Sequence, residues 1–170
     1  MRTLPRRVSL ADTNDVDSEQ TVVVIMFPSV SVRDLEGRSM STPTCLTGSP
    51  NVVMVAFRRE HQRLVDSWIP WLEDTQRTLP DLRFYEVPAI SGTWKPVRRF
   101  IDGGMAQAIK VPAVLQRTLT YYGDLSLLTT PLQITDRNDI HILKVTAGEV
   151  LARTTGEFSP SKAESLGLTD

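Results

Sequence analysis

The chain has 170 residues, a formal net charge of −1, one cysteine and two histidines. That balance argues against a broad surface for nucleic acid or anionic membrane, both of which need a basic excess. A single cysteine rules out an intrachain disulfide and a cysteine-rich zinc site, and His61 and His141 leave few ligands for any transition metal. With 41% apolar and 23% charged residues it reads as one soluble domain. An apolar run such as Val22 to Phe27 is far too short to span a bilayer.

Residues 1–20 are polar and aperiodic, so they read as a disordered tail before a domain over 21–170. Arg2, Arg6 and Arg7 without early acids have some transit-peptide character, but Asp12, Asp15, Asp17 and Glu19 follow quickly. Val22 to Val30 is β-branched and broken at Phe27-Pro28, which predicts an edge strand or one that stops there. Val30 and Val32 alternate with polar residues, Asp34 to Gly37 is a turn, and Arg38 to Thr42 returns as the second arm of a hairpin. Thr42 to Pro50 is a loop.

Asn51 to Arg58 is apolar almost throughout, the mark of a central strand covered on both faces. Glu60 to Leu79 carries Leu64, Val65, Trp68, Leu72 and Thr75 at helical spacing, with Pro70 inside as an expected kink. Asp81 to Ile90 is a strand and Ser91-Gly92 a turn. Lys95 to Ile109 is a helix with a stripe of Val97, Phe100, Ile101, Met105 and Ile109, weakened at Gly103-Gly104. Pro112 closes that helix or opens a new turn. Arg117 to Tyr122 is a strand, and Asp124 to Ile134 a short helix interrupted by Pro131. Ile140 to Val145 and Glu149 to Thr155 form a hairpin about Ala147-Gly148. Ser159 caps a last helix over Ser161 to Leu168. The order predicts an α/β domain, a mixed sheet with helices on both faces.

Several residues carry this order into a known pattern. Phe57 ends the central strand and Pro70 lies thirteen residues on in the following helix. Ala147 to Gly156, AGEVLARTTG, places a turn glycine and a second glycine eight residues apart, with Ser159 as the cap of the final helix. The chain resembles the thioredoxin-like superfamily in these spacings. Phe27 to Gly37, FPSVSVRDLEG, is similar to the N-terminal hairpin of its peroxiredoxin-like branch. The segments GGMAQAI, RTLTYY and RREHQRLVDSWIPWL look most like the mitochondrial ATP synthase assembly-factor family and its uncharacterised bacterial relatives, which keep the fold without a dithiol. The resemblance implies a thioredoxin-like mixed sheet with an N-terminal β-hairpin extension. Its redox slot falls on Gln62 to Val65, with no Cys-x-x-Cys, and its loop proline falls near Ile140.

The expected function is therefore a redox-inactive binding or assembly factor that engages another protein, with no cofactor and no metal. Oligomeric state is not legible. A bacterial source implies the cytoplasm, with a mitochondrial location as the alternative. The candidate binding residues are Arg58, Arg59, His61, Gln62 and Arg63 around the strand-to-helix junction, where free N–H groups and guanidinium groups suit an acidic partner. The set contains no serine, cysteine or acid placed to make His61 a general base. Cys45 is the one candidate for catalysis. Thr42 to Cys45 is similar to the Thr-x-x-Cys of peroxiredoxins, but it precedes the central strand, and a proline-rich loop offers neither a helix N-terminus nor a cation to depress its pKa. The alternatives to a binding protein are a thiol-dependent peroxidase or reductase using Cys45, and a small anion held by Arg58, Arg59 and Arg63. Trp68 reads as core; Trp71 and Trp94 read as partly buried residues that could also form a partner-binding patch.

Overall fold

The computed structural model describes residues 22–91 and 112–168. The tail expected over 1–20 and the helix expected over Lys95 to Ile109 lie outside the described residues, as do Trp94 and Gly103-Gly104. Within them the chain forms β1 (Ile25–Met26), β2 (Ser31–Arg33), β3 (Ser39–Ser41) and β4 (Asn51–Ala56). A 3-10 turn (Arg59–His61) leads into α1 (Gln62–Thr78), followed by β5 (Arg83–Ser91). Then come α2 (Pro112–Arg117), β6 (Thr120–Gly123), α3 (Ser126–Thr129), β7 (His141–Thr146), β8 (Glu149–Thr155) and α4 (Pro160–Ser165).

The described strands make one sheet in the order β1-β8-β7-β4-β5-β6-β2-β3. β5 is parallel to both β4 and β6, and every other pairing is antiparallel. β4 sits inside the sheet because it is apolar on both faces. Val53 and Val55 enter one core with Tyr85, Val87, Leu143 and Val145. Val52 and Met54 enter the other with Val65, Trp68 and Leu72 of α1 and Ala163 and Leu166 at α4. Each such side chain contributes roughly 1.5–3 kcal/mol by leaving water. Helices therefore cover both faces: α1 and α4 on one, and the short α3 on the other, where Phe27, Leu128, Leu132 and Ile134 complete the layer.

Of the expected helical stripe, Val65, Trp68, Leu72 and Thr75 are buried and Leu64 is half-buried at its edge, with Pro70 on the exposed side. Trp71 is half-buried against Trp68 and Phe158. The β7–β8 hairpin turns at Ala147 and Gly148 with positive φ at both, 50° and 82°. Ser159 caps α4 by accepting from the Lys162 N–H.

Three elements differ from expectation. The strand expected over Val22 to Val30 shrinks to Ile25–Met26. Its partner β8 shifts register opposite Lys144 and Val145 and leaves Leu151 exposed, and the ladder runs only from Ile25 to Met26, ending before Pro28. Arg117 ends α2 instead of beginning a strand: the Thr118 hydroxyl donates to the Val114 carbonyl at 3.1 Å and closes the helix, and β6 starts at Thr120. The helix expected over Asp124 to Ile134 is only Ser126–Thr129. Pro131 cannot extend it, and Gln133 turns it at φ 53° while the Ile134 N–H bonds the Thr129 carbonyl at 2.9 Å.

Candidate functional site

The strand-to-helix junction is built by β4 ending at Ala56 and α1 starting at Gln62. His61 fastens it. Its ring is buried, Nδ1 accepts from the Phe57 N–H at 3.2 Å, and Nε2 donates to the Asn138 carbonyl at 3.1 Å. Both nitrogens are therefore spent on backbone groups. His141 does related work from β7: it is buried, Nε2 donates to the Asp136 carbonyl at 2.6 Å, and its ring meets Phe57 edge-on at 6.1 Å. Two histidines thus bind the loop before β7 to the junction. A shallow cleft of about 430 Å³ lies there, lined by Phe57, Arg58, Leu125, Thr135, Asp136, Arg137 and Asn138.

The candidate binding residues are held by different groups, except that Arg58 and His61 both reach Asn138. Arg58 donates to the Asn138 side-chain oxygen. Arg63 pairs with Glu157 at 3.3 Å, and both are exposed. Arg59 is exposed. Gln62 donates to Asp66 at 2.9 Å and to Glu86 at 3.4 Å. The junction brings these five residues to one end of the molecule, but no two of their guanidinium groups are bridged by a common partner. At the positions where a dithiol would stand, Gln62 and Arg63 face solvent, Leu64 is half-buried and Val65 is core.

Cys45 lies at the other end. It is half-buried in the loop before β4, where its N–H bonds the Ser41 carbonyl at 3.0 Å. It lines a cleft of about 790 Å³ together with Gln76 near the C-terminal end of α1, Arg83 at the start of β5, and Arg38 and Arg117. Burial pushes the Cys45 thiol up, away from the reactive thiolate. The nearby guanidinium groups are engaged elsewhere: Arg38 with the buried Asp34 at 2.8 Å, and Arg83 with the Pro80 and Leu82 carbonyls. Among the described residues no group of three His, Cys, Asp or Glu could hold a metal ion. Nor is any helix there long and apolar enough to cross a membrane.

Residue reading alone misses Glu86 and Arg117. Glu86 is a buried carboxylate on β5, and Arg117 reaches both it and Glu73. A signal was present: in Asp81 to Ile90, Leu82, Phe84 and Glu86 share one face by alternation, and the acid breaks an apolar series. Asn138, which receives Arg58 and His61, has no such signal.

The sheet order, the parallel β4–α1–β5 unit and the closing β7–β8 hairpin with α4 define a thioredoxin-like α/β fold. No family model matches the chain, and no curated protein does. Among solved structures it is similar to the exposed lipoprotein thioredoxin of Streptococcus pneumoniae, with TM-score 0.54 and 8% identity over 83% of this chain and 99% of that one. It is similar to BsSco, a member of the Sco family of cytochrome c oxidase assembly proteins, with TM-score 0.54 and 9% identity over 85% and 91%. A hypothetical protein from Sinorhizobium meliloti 1021 gives TM-score 0.51 and 8% identity over 77% and 69%. At these identities the likeness is one of fold.

Proposed function

We propose that this chain is a redox-inactive thioredoxin-like domain that binds another protein, as an assembly factor, through the junction face of Arg58, Arg59, His61, Gln62 and Arg63. One observation carries the reading: the dithiol slot presents Gln62 and Arg63 to solvent, while Cys45 stands in the loop before β4, at the other end of that strand. His61 frames that face from within. Arg59, Gln62 and Arg63 form its outer surface. The likeness of RTLTYY and RREHQRLVDSWIPWL to the mitochondrial ATP synthase assembly-factor family supports an assembly role, and the membership of BsSco in a family of assembly proteins agrees with it. Thiol chemistry is disfavoured by the raised Cys45 pKa and the engaged arginines around it.

The test is affinity capture by the full chain from its source cells. Wild type and Cys45→Ser recover the same partner, and Arg59→Glu recovers at least about tenfold less, since a reversed charge at a contact costs on the order of 1.4 kcal/mol or more. Absence of a reproducible partner, or equal recovery by Arg59→Glu, would sink the proposal.

A further inference from the structure

Leu82, Phe84 and Glu86 point from β5 toward the layer covered by α1; the first two fill the core and the third is an acid, only 6% exposed. A carboxylate taken out of water needs several donors to replace its hydration. Among the described residues Glu86 has two, both distant. The Gln62 side-chain amide donates to Oε2 at 3.4 Å, and Arg117 Nε stands 3.7 Å from Oε1. Arg117 is divided: its Nη1 lies 3.6 Å from Glu73 Oε1, and its guanidinium stacks over the Phe84 ring at 4.8 Å. Its Nε is buried without a hydrogen-bond acceptor. Asp66 on α1 shares the Gln62 amide and adds a like charge.

The described charged groups around Glu86 are therefore Asp66 and Glu73 from α1 and Arg117 from α2: Glu73 and Glu86 share the one guanidinium, and Asp66 competes for the Gln62 amide. This geometry favours a neutral carboxyl. Burial pushes the Glu86 carboxyl above the usual carboxylate range, and the Gln62 bond and the Arg117 charge offset this only in part.

We infer that Glu86 is a proton-linked latch between α1 and α2 that governs the binding face at Gln62. Ionised, Glu86 draws the Gln62 amide and Arg117 inward. Protonated, it releases the charge-assisted hold, and Gln62 is left to Asp66 at the surface. The consequence for partner binding rests on the proposed function above; the latch itself does not. The sign follows from linkage. The folded chain keeps the Glu86 proton to higher pH than the unfolded chain, so folding takes up a proton in the window between the two values. The stabilisation is fully present below the unfolded value and is lost as pH rises through the folded one.

The test is an NMR titration of the full chain without partner, following the Glu86 carboxyl carbon and the Gln62 side-chain amide. The carboxyl midpoint lies above the range of exposed glutamates, the Gln62 amide moves with the same midpoint, and Glu86→Gln removes that step. The melting-temperature gain of Glu86→Gln over wild type widens as pH rises. A Glu86 midpoint within the exposed range, a Gln62 amide that does not follow it, or a melting difference constant with pH would overturn the latch. Should Glu86→Gln fail to fold, the wild-type titration decides alone. Because no partner is present, failure here leaves the capture experiment standing, and failure of capture leaves the titration standing.

Discussion

Cys45 and the two histidines show how environment decides what a side chain can do. A thiol reacts as thiolate, and Cys45 is half-buried, so its proton is held. Its labelling by iodoacetamide should therefore be slower at neutral pH than that of a free cysteine. It should rise about tenfold per pH unit while the thiol remains protonated. Fast labelling that levels off near pH 7 would revive thiol chemistry. His61 and His141 are the residues most often associated with proton transfer at this pH. Here both nitrogens of His61 are committed to backbone groups, and Nε2 of His141 holds the loop before β7. Glu86 is the exception, a buried titratable group whose partners do not satisfy it.

At the scale of elements, α1 does most to order the fold. Trp68 is its anchor. It is fully buried, its indole N–H donates to the Gly156 carbonyl at 2.9 Å, and its ring meets Phe158 edge-on at 5.2 Å and Trp71 at 5.8 Å. Gly156 can serve because its φ is 82°, and a Cβ there would stand 2.9 Å from the Asp139 carboxylate. Trp68→Ala should cost about 3–5 kcal/mol in urea unfolding. Trp68→Phe keeps the ring but strands the carbonyl, at about 1–3 kcal/mol. A loss below about 1 kcal/mol for Trp68→Ala would mean that α1 is not anchored there.

What the sequence made legible follows the same division. Periodicity located β4, α1 and the β7–β8 hairpin, because each buries a face whose pattern is local: Val52 to Val55, Val65 to Leu72, Ile142 to Val145. It overran at Arg117, where β-propensity in RTLTYY hid a side chain spent on Glu73 and Glu86. It also overran at Val22, where the strand length depends on a shift in β8, more than a hundred residues away. The junction residues were legible one by one. Their partners, Asn138 for Arg58 and His61 and Glu157 for Arg63, were not, since pairs so far apart in sequence leave no local trace.

Across the whole molecule, the two ends of α1 present different surfaces. One end carries the junction, with Arg59, Gln62 and Arg63 outward and two histidines beneath. The other carries Cys45 and a cleft in which Arg38 is ion-paired with Asp34 and Arg83 is bonded to backbone carbonyls. The two features fall at opposite ends of β4: Cys45 is in the loop that leads into the strand and Gln62 opens the helix that follows it. The most direct test places a photo-cross-linking residue at Gln62 and, in a separate variant, at the exposed Glu164 on α4. The account predicts one reproducible adduct from position 62, unchanged by Cys45→Ser and missing from position 164. Equal adducts from both positions, or loss of the adduct with Cys45→Ser, would contradict it.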